Sequence, residues 1–244
     1  MNRLIAAVFL LSAIAASAFG QKKYETDTLP TSGGNLQITF LGHASLMLKF
    51  KGLVIYADPV SQYADFSKMP KADLIVVTHE HGDHLDPAAI DKVQTDKTKL
   101  VYTAACAEKV PGGMVMKNGE SRTIDGIKIE AVPAYNLVHM RSEGVPFHAK
   151  GIGNGYVLTF GGKRVYIAGD TENIPEMSNL GKIDVAFLPM NLPYTMTPEM
   201  VAEAAKRIKP KILYPYHFGK TDTAKLVALL KGEKGIEIRI RNMQ

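Results

Sequence analysis

Cysteine is all but missing. Cys106 is the single one in 244 residues, so an intramolecular disulfide is excluded, and a lone thiol reads as a small buried hydrophobe rather than a nucleophile. No low-complexity tract and no internal repeat interrupts the chain, and 46% hydrophobic with 22% charged residues is the composition of an ordinary globular protein. The formal net charge of +5 is evenly spread and lacks the basic cluster that nucleic-acid binding needs. There is no G-x-S-x-G, hence no serine-hydrolase elbow. GIGNG is followed by the strand-like GYVLTF instead of a helix, so it lacks the context of a dinucleotide loop. At the N-terminus, LIAAVFLLSAIAA is shorter than the roughly 20 apolar residues that span a bilayer. It lies between MNR and the small residues of ASAFGQ, the pattern of a cleavable secretory signal over residues 1–20, cut after Ala18 or Gly20. Losing Arg3 with it lowers the net charge by one to +4. No cysteine adjoins the cut, so the expectation is an exported protein, periplasmic or secreted, without a stable membrane anchor.

What is present is a chain long enough for one large domain or two small ones. Residues 21–35, with KKYETDTLPTSGGN, are polar, carry Pro30, Gly33 and Gly34, and read as a linker. From residue 36 to 244 no further linker occurs. LQITFLG, SLMLKF and LVIYA read as strands, and DLIVV and KLVYT as strands buried on both faces. RTIDGIKIEAV reads as a hairpin turning at Asp125-Gly126. DPAAIDKVQ is expected to be a helix capped by Asp86, TPEMVAEAAKRIKP one capped by Thr197, and TDTAKLVALLKG a third. IEIRIRN closes the chain as an alternating strand. Strands first, then strands alternating with helices, favour one α/β domain with sheet inside and helices outside.

The stretch THEHGDHLDP, Thr78 to Pro87, follows DLIVV and gathers three imidazoles among acidic side chains. His79 and His81, two apart at a strand end, can point the same way; Gly82 lets the chain turn before Asp83 and His84. Neutral imidazoles and a carboxylate suit zinc or a similar divalent ion. Four ligands this close cannot easily share one tetrahedral ion. The spacing favours two metals, one taken by His79 and His81 and the other by Asp83 and His84.

This H-x-H-x-D-H motif resembles that of the metallo-β-lactamase superfamily of hydrolases, and further segments extend the likeness over nearly the whole chain after the leader. AGDT puts Asp170 where the family has its metal-bridging aspartate, and YPYHFG puts His217 at its last histidine ligand. LGHAS with His43 and ADPV with Asp58 are similar to the subgroup that includes ascorbate phosphate lactonase and the phospholipase D acting on N-acyl phosphatidylethanolamines. A bacterial set of small metal-dependent hydrolases of that subgroup is the nearest likeness. The resemblance implies a four-layer αββα sandwich with the metals at one edge. It also implies two zinc ions, manganese or iron being alternatives, and a metal-bound hydroxide that attacks a small ester, lactone or phosphodiester. Asp170 would bridge, and Asp83 would orient the attacking group and serve as the catalytic acid.

One family histidine is missing, between the motif and Asp170. Its place falls in VPAYN, where Asn136 stands. His148 in PFHAKG is the first candidate to replace it; the amide oxygen of Asn136 is the weaker one, and a site with one tightly held metal is the third outcome. His43 is either a substrate or proton-donating contact or a structural residue. Asp58 either orients a ligand histidine or makes a turn. His139 reads as a packing residue. The 47 residues from Asp170 to His217 leave no room for the domain that RNA-processing members insert there. The alternative function, prompted by Asn136, is a non-catalytic periplasmic metal-binding protein on the same fold.

Overall fold

A strand whose successive side chains are all apolar must bury both of its faces. Leu74 and Val76 enter one buried cluster, while Ile75 and Val77 enter another. The computed structural model describes residues 24–243, and the leader expected over 1–20 lies outside them. The first sheet holds β1 (Thr26–Thr31), β2 (Gly34–Gly42), β3 (Ser45–Phe50), β4 (Leu53–Ala57), β5 (Leu74–Val76), β6 (Lys99–Tyr102) and β7 (Met114–Val115), in chain order. It is antiparallel from β1 to β4 and parallel from there to β7, with α1 (Pro87–Val93) and α2 (Ala104–Ala107) in the parallel connections.

The second sheet repeats this plan. β8 (Ser121–Ile124) and β9 (Ile127–Ala134) turn at Asp125 and Gly126, both in the left-handed region that a tight hairpin needs. β10 (Met140–Ser142) and β11 (Val145–Pro146) form a separate two-stranded hairpin. Then follow β12 (Gly153–Phe160), β13 (Lys163–Ile167), β14 (Val185–Pro189), α3 (Pro198–Ile208), β15 (Ile212–Tyr216), α4 (Thr223–Leu229) and β16 (Glu237–Ile238). The strand order is β16-β15-β14-β13-β12-β9-β8, antiparallel on the β8 side and parallel on the β16 side.

The main core lies between the sheets, with Leu46, Leu48 and Ile55 in one cluster with Ile129, Leu158 and Ile167. Met47, Tyr56, Ile75 and Val77 face the other way and pack with Ile90 and Val93 of α1. Val201, Ala205 and Ile208 of α3 belong to the main cluster, lying with β14 and β15. Helix, sheet, sheet, helix: this is the αββα sandwich. Side-chain caps at Asp86, Thr197 and Asp222 start the helices where the sequence marks them. Cys106 is buried in the outer cluster, and burial pushes its thiol up to about 11.

Two expectations need correction. Residues 26–35 are not linker: β1 pairs with β2 from Thr26↔Thr39 to Thr31↔Gly34, and Leu29 is buried. Pro30 is tolerated because β1 is an edge strand, and the glycines that suggested a linker make the hairpin turn. IEIRIRN pairs only at Glu237–Ile238. Its alternation serves charge instead, since Arg239 and Arg241 both reach the Asp27 carboxylate, at 3.1 and 2.8 Å.

Candidate metal centre

Strand ends on one rim of the sandwich carry every histidine and carboxylate of the opening motif. β5 runs into Thr78 and His79, and the N–H groups of His84 and Leu85 both donate to the His81 carbonyl, closing a helical turn. Gly82 is not in the left-handed region, and a Cβ there would meet nothing within 4 Å, so the turn does not depend on glycine. The strain sits elsewhere. His43 after β2, Asp58 after β4 and His217 after β15 all hold positive φ, of 53°, 45° and 45°. Non-glycine residues in that region cost roughly 1–3 kcal/mol each and persist where the surroundings fix them. Here the His217 N–H donates to the His43 carbonyl at 2.9 Å, and Ser45 Oγ donates to the Asp58 carbonyl at 2.6 Å.

Three of the imidazoles, those of His84, His79 and His148, are oriented by what holds their far side. Asp58 is fully buried; it accepts from the Thr78 N–H, from Thr78 Oγ1 and from His84 Nδ1, all at 2.8 Å. His84 is thereby fixed as the Nδ1–H tautomer with Nε2 turned inward. The Thr78 hydroxyl, having donated to Asp58, accepts from His79 Nδ1 at 3.1 Å and so turns His79 Nε2 inward too. Asn136 does the same for His148. Its Oδ1 accepts from the His148 N–H at 2.9 Å and from Nδ1 at 2.7 Å, leaving Nε2 at 3.2 Å from Asp170 Oδ2. The asparagine oxygen is therefore committed behind the histidine.

Asp170 follows β13 at a turn that only Gly169 fits: φ is +65°, and a Cβ would lie 2.8 Å from the Asn154 carbonyl. Its Oδ1 stands 3.3 Å from His84 Nε2 and 3.5 Å from His217 Nε2; Oδ2 is 3.9 Å from His79 Nε2. On one side His79, His81 and His148 converge, with His79 Nε2 3.1 Å from His81 Nδ1. On the other, His43, Asp83, His84 and His217 converge, with Asp83 Oδ2 3.1 Å from His43 Nε2 and 3.3 Å from His217 Nε2. His79, His84 and Asp170 form the seam.

The donor set has a deficit that a cation would fill. Asp170 Oδ1 and His84 Nε2 are buried, face each other, and have no hydrogen-bond partner. When the His84 proton sits at Nδ1 alone, Nε2 turns its lone pair toward the same buried space as the Asp170 oxygen, the donor arrangement a cation needs. Neighbouring titrations reflect the same deficit. Burial pushes His84 down, but the Asp170 and Asp58 carboxylates outweigh it and raise it well above the usual imidazole value. Burial and the nearby His84 hold His79 well below it. Burial opposes ionisation of Asp170, yet His217 and His84 hold its carboxyl well below the usual range. Imidazole nitrogens and carboxylate oxygens, with no thiolate, fit zinc and also accept manganese or iron.

Three participants were not legible in advance. Thr78 is a relay between Asp58 and two histidines; its place at the strand end beside His79 was the available signal. Glu172, two residues after Asp170, is fully buried and accepts from the N–H groups of Leu137, Val138 and His139, each at 2.7 Å. It also meets Asn136 Nδ2 at 3.1 Å and His139 Nδ1 at 2.7 Å, so it holds the loop that carries Asn136, and His139 stays outside the cluster. Tyr63 stacks on His43 with centroids 4.8 Å apart. Above the cluster a cavity of about 480 Å³ is bounded by Asp83, Arg141, Phe147, Asn191, Tyr194 and His217.

The family model described as the β-lactamase superfamily domain matches residues 37–217. The chain belongs to this superfamily. Among its relatives, a metal-dependent hydrolase from Pelotomaculum thermopropionicum is 32% identical over 220 residues, 84% of this chain and 96% of that protein. A crystal structure from Parabacteroides distasonis is similar at 50% identity with a TM-score of 0.87, covering 91% of this chain and 100% of that one. Igni18, a metallo hydrolase from Ignicoccus hospitalis, is 25% identical with a TM-score of 0.68, over 85% of this chain and 95% of its own. Superfamily membership accounts for the shared sandwich.

Proposed function

We propose that this protein hydrolyses a small ester, lactone or phosphodiester with two divalent metal ions, zinc first among them. Metal-dependent hydrolysis is the activity that the superfamily and the names of its relatives carry. The observation supporting a metal here is the buried, unpartnered Asp170 Oδ1 facing the equally unpartnered His84 Nε2. His79, His81 and His148 would hold one ion, Asp83, His84 and His217 the other, and Asp170 would serve both. Such ions acidify water and polarise the oxygen of a scissile bond.

The chain's own groups do the rest. Asp58, Thr78 and Asn136 hold the imidazoles of His84, His79 and His148 in one orientation, so these three donors need no rearrangement. Asp83 lines the large cavity, where its carboxylate could take the proton given up by the attacking water and relay it to the departing oxygen. His43, 3.1 Å behind it, can hold that proton at Nε2. His148 lying with His79 and His81 supports this reading over a non-catalytic metal-binding protein on the same fold. From the leader pattern we place the reaction outside the cytoplasm.

The test is metal content and turnover together. Protein purified without added metal should hold two equivalents, lose turnover of an ester, lactone and phosphodiester panel on chelation, and regain it on reloading. His148→Ala should drop to one equivalent. Two equivalents with no turnover of any panel member would refute the hydrolase reading.

A further inference from the structure

The cavity over the cluster contains one charge that the metal centre does not account for. Arg141, on β10, lines it together with Phe147, Asn191 and Tyr194. Arg122, Arg164, Arg239 and Arg241 each meet a carboxylate, and Arg207 donates to two carbonyls. Arg141 has no ion pair among the described residues; its guanidinium lies over the Phe147 ring, 5.9 Å from the centroid. Phe147 is in turn edge-on to Tyr194 at 5.1 Å, so an aromatic pair backs the arginine. Lys150, the next cation along the chain, is taken by Glu176 at 2.8 Å. The acidic groups of the same wall, Asp83 and Asp170, are turned toward histidines. Arg141 is thus the one cationic side chain outside the histidines that a ligand in this cavity meets. A guanidinium fork matches carboxylate or phosphate oxygens, and an aromatic face behind it leaves those donors pointing outward.

A smaller cavity of about 140 Å³ adjoins the first across His81, Phe147, His148 and Asp170. Besides Ala134, Pro146, Ala149 and Ile152, its wall carries Glu80, Asn154 and the histidines of the metal centre, so it continues the polar lining of that centre.

We propose that Arg141 sets specificity and that the substrate is an anionic ester: a carboxylate or phosphate group rests on the guanidinium where Phe147 and Tyr194 back it. This deepens the hydrolase reading and rests on it.

The experiment uses the metal-loaded full chain and three p-nitrophenyl esters of matched length: butyrate, hemisuccinate and 3-phosphonopropionate. Losing a hydrogen-bonded charge contact corresponds to about a 10- to 100-fold rise in KM. Arg141→Ala should raise KM by that factor for one anionic ester, leave kcat within a few-fold, and change the neutral ester less than twofold. Arg141→Lys should recover part of the loss, and the ester that responds tells carboxylate from phosphate. An equal effect on all three esters, or none on either anion, overturns the proposal. If wild type turns over none of the three esters, the hydrolase reading is judged by the lactone and phosphodiester members of the wider panel, and Arg141 separately by calorimetry with phenylphosphonate. A tenfold loss of binding in Arg141→Ala then supports the anion site, and unchanged binding overturns it.

Discussion

Removing the Asn136 side chain separates two roles that its position allows. If its oxygen orients His148, Asn136→Ala leaves every proposed metal donor present but frees the His148 ring from its 2.7 Å hydrogen bond and the His148 backbone N–H from its 2.9 Å one. Loss of such an orienting partner typically weakens metal affinity by about 10- to 100-fold, or roughly 1.4–2.8 kcal/mol. The effect should fall on one ion only, the one nearest His79, His81 and His148. The second proposed ion would be held through His84, which Asp58 orients, and its affinity should stay as before. Folding stability also falls, because Asn136 Nδ2 donates to Glu172 Oε1 at 3.1 Å and to the Tyr194 carbonyl at 2.9 Å. Leaving such buried acceptors short costs about 1–3 kcal/mol. Competitive chelator titration of wild type, Asn136→Ala, Asn136→Asp and His148→Ala gives the two affinities separately. The expected order at the weaker site is wild type, then Asn136→Ala, then His148→Ala with that ion lost. Were Asn136 itself a ligand, Asn136→Asp would bind tighter than wild type and Asn136→Ala would match His148→Ala. Either result refutes the orienting role.

Gly169→Ala should abolish a stable fold or cost several kcal/mol, since its Cβ would stand 2.8 Å from a carbonyl oxygen at positive φ. Gly82→Ala, in open space, should melt within a degree or two of wild type, and thermal denaturation compares the pair. Asp27 is held below its usual carboxyl value: burial opposes ionisation, but Tyr214, Arg241 and Arg239 together outweigh it. A depressed folded-state pKa contributes stability above the unfolded value of 3.8 and loses it as pH falls through the folded value. The urea midpoint of Asp27→Asn should therefore lie below that of wild type near neutral pH and approach it below about pH 4. A gap that stayed constant down to pH 2 would sink this assignment.

The metal motif was legible because its ligands are neighbours in the chain and their residue types are rare together. The sandwich was legible because LIV-type runs and capped helices carry their own period. Three things were not. The linker reading failed at β1, where Pro30 and the glycines satisfy an edge strand and a turn as well as they satisfy a linker, and only pairing with β2 decides between them. The choice between His148 and Asn136 depends on a loop that Glu172 folds back from outside the motif, a contact between residues more than thirty apart. Thr78 and Arg141 belong to residue types too common on strand ends and surfaces to be singled out without their neighbours.

The two sheets contribute unequally to one rim: His43, Asp58 and the whole of His79–His84 come from the first, whereas Asn136, His148, Asp170 and His217 come from the second. Neither half of the chain can assemble the cluster by itself. Competence is therefore a coincidence signal, present only after residues far apart in order of synthesis have met and both layers have closed. A partly folded molecule lacks the full donor set, and two fragments divided near Asn118, in the half-buried turn between the sheets, would report their own reunion by regaining it.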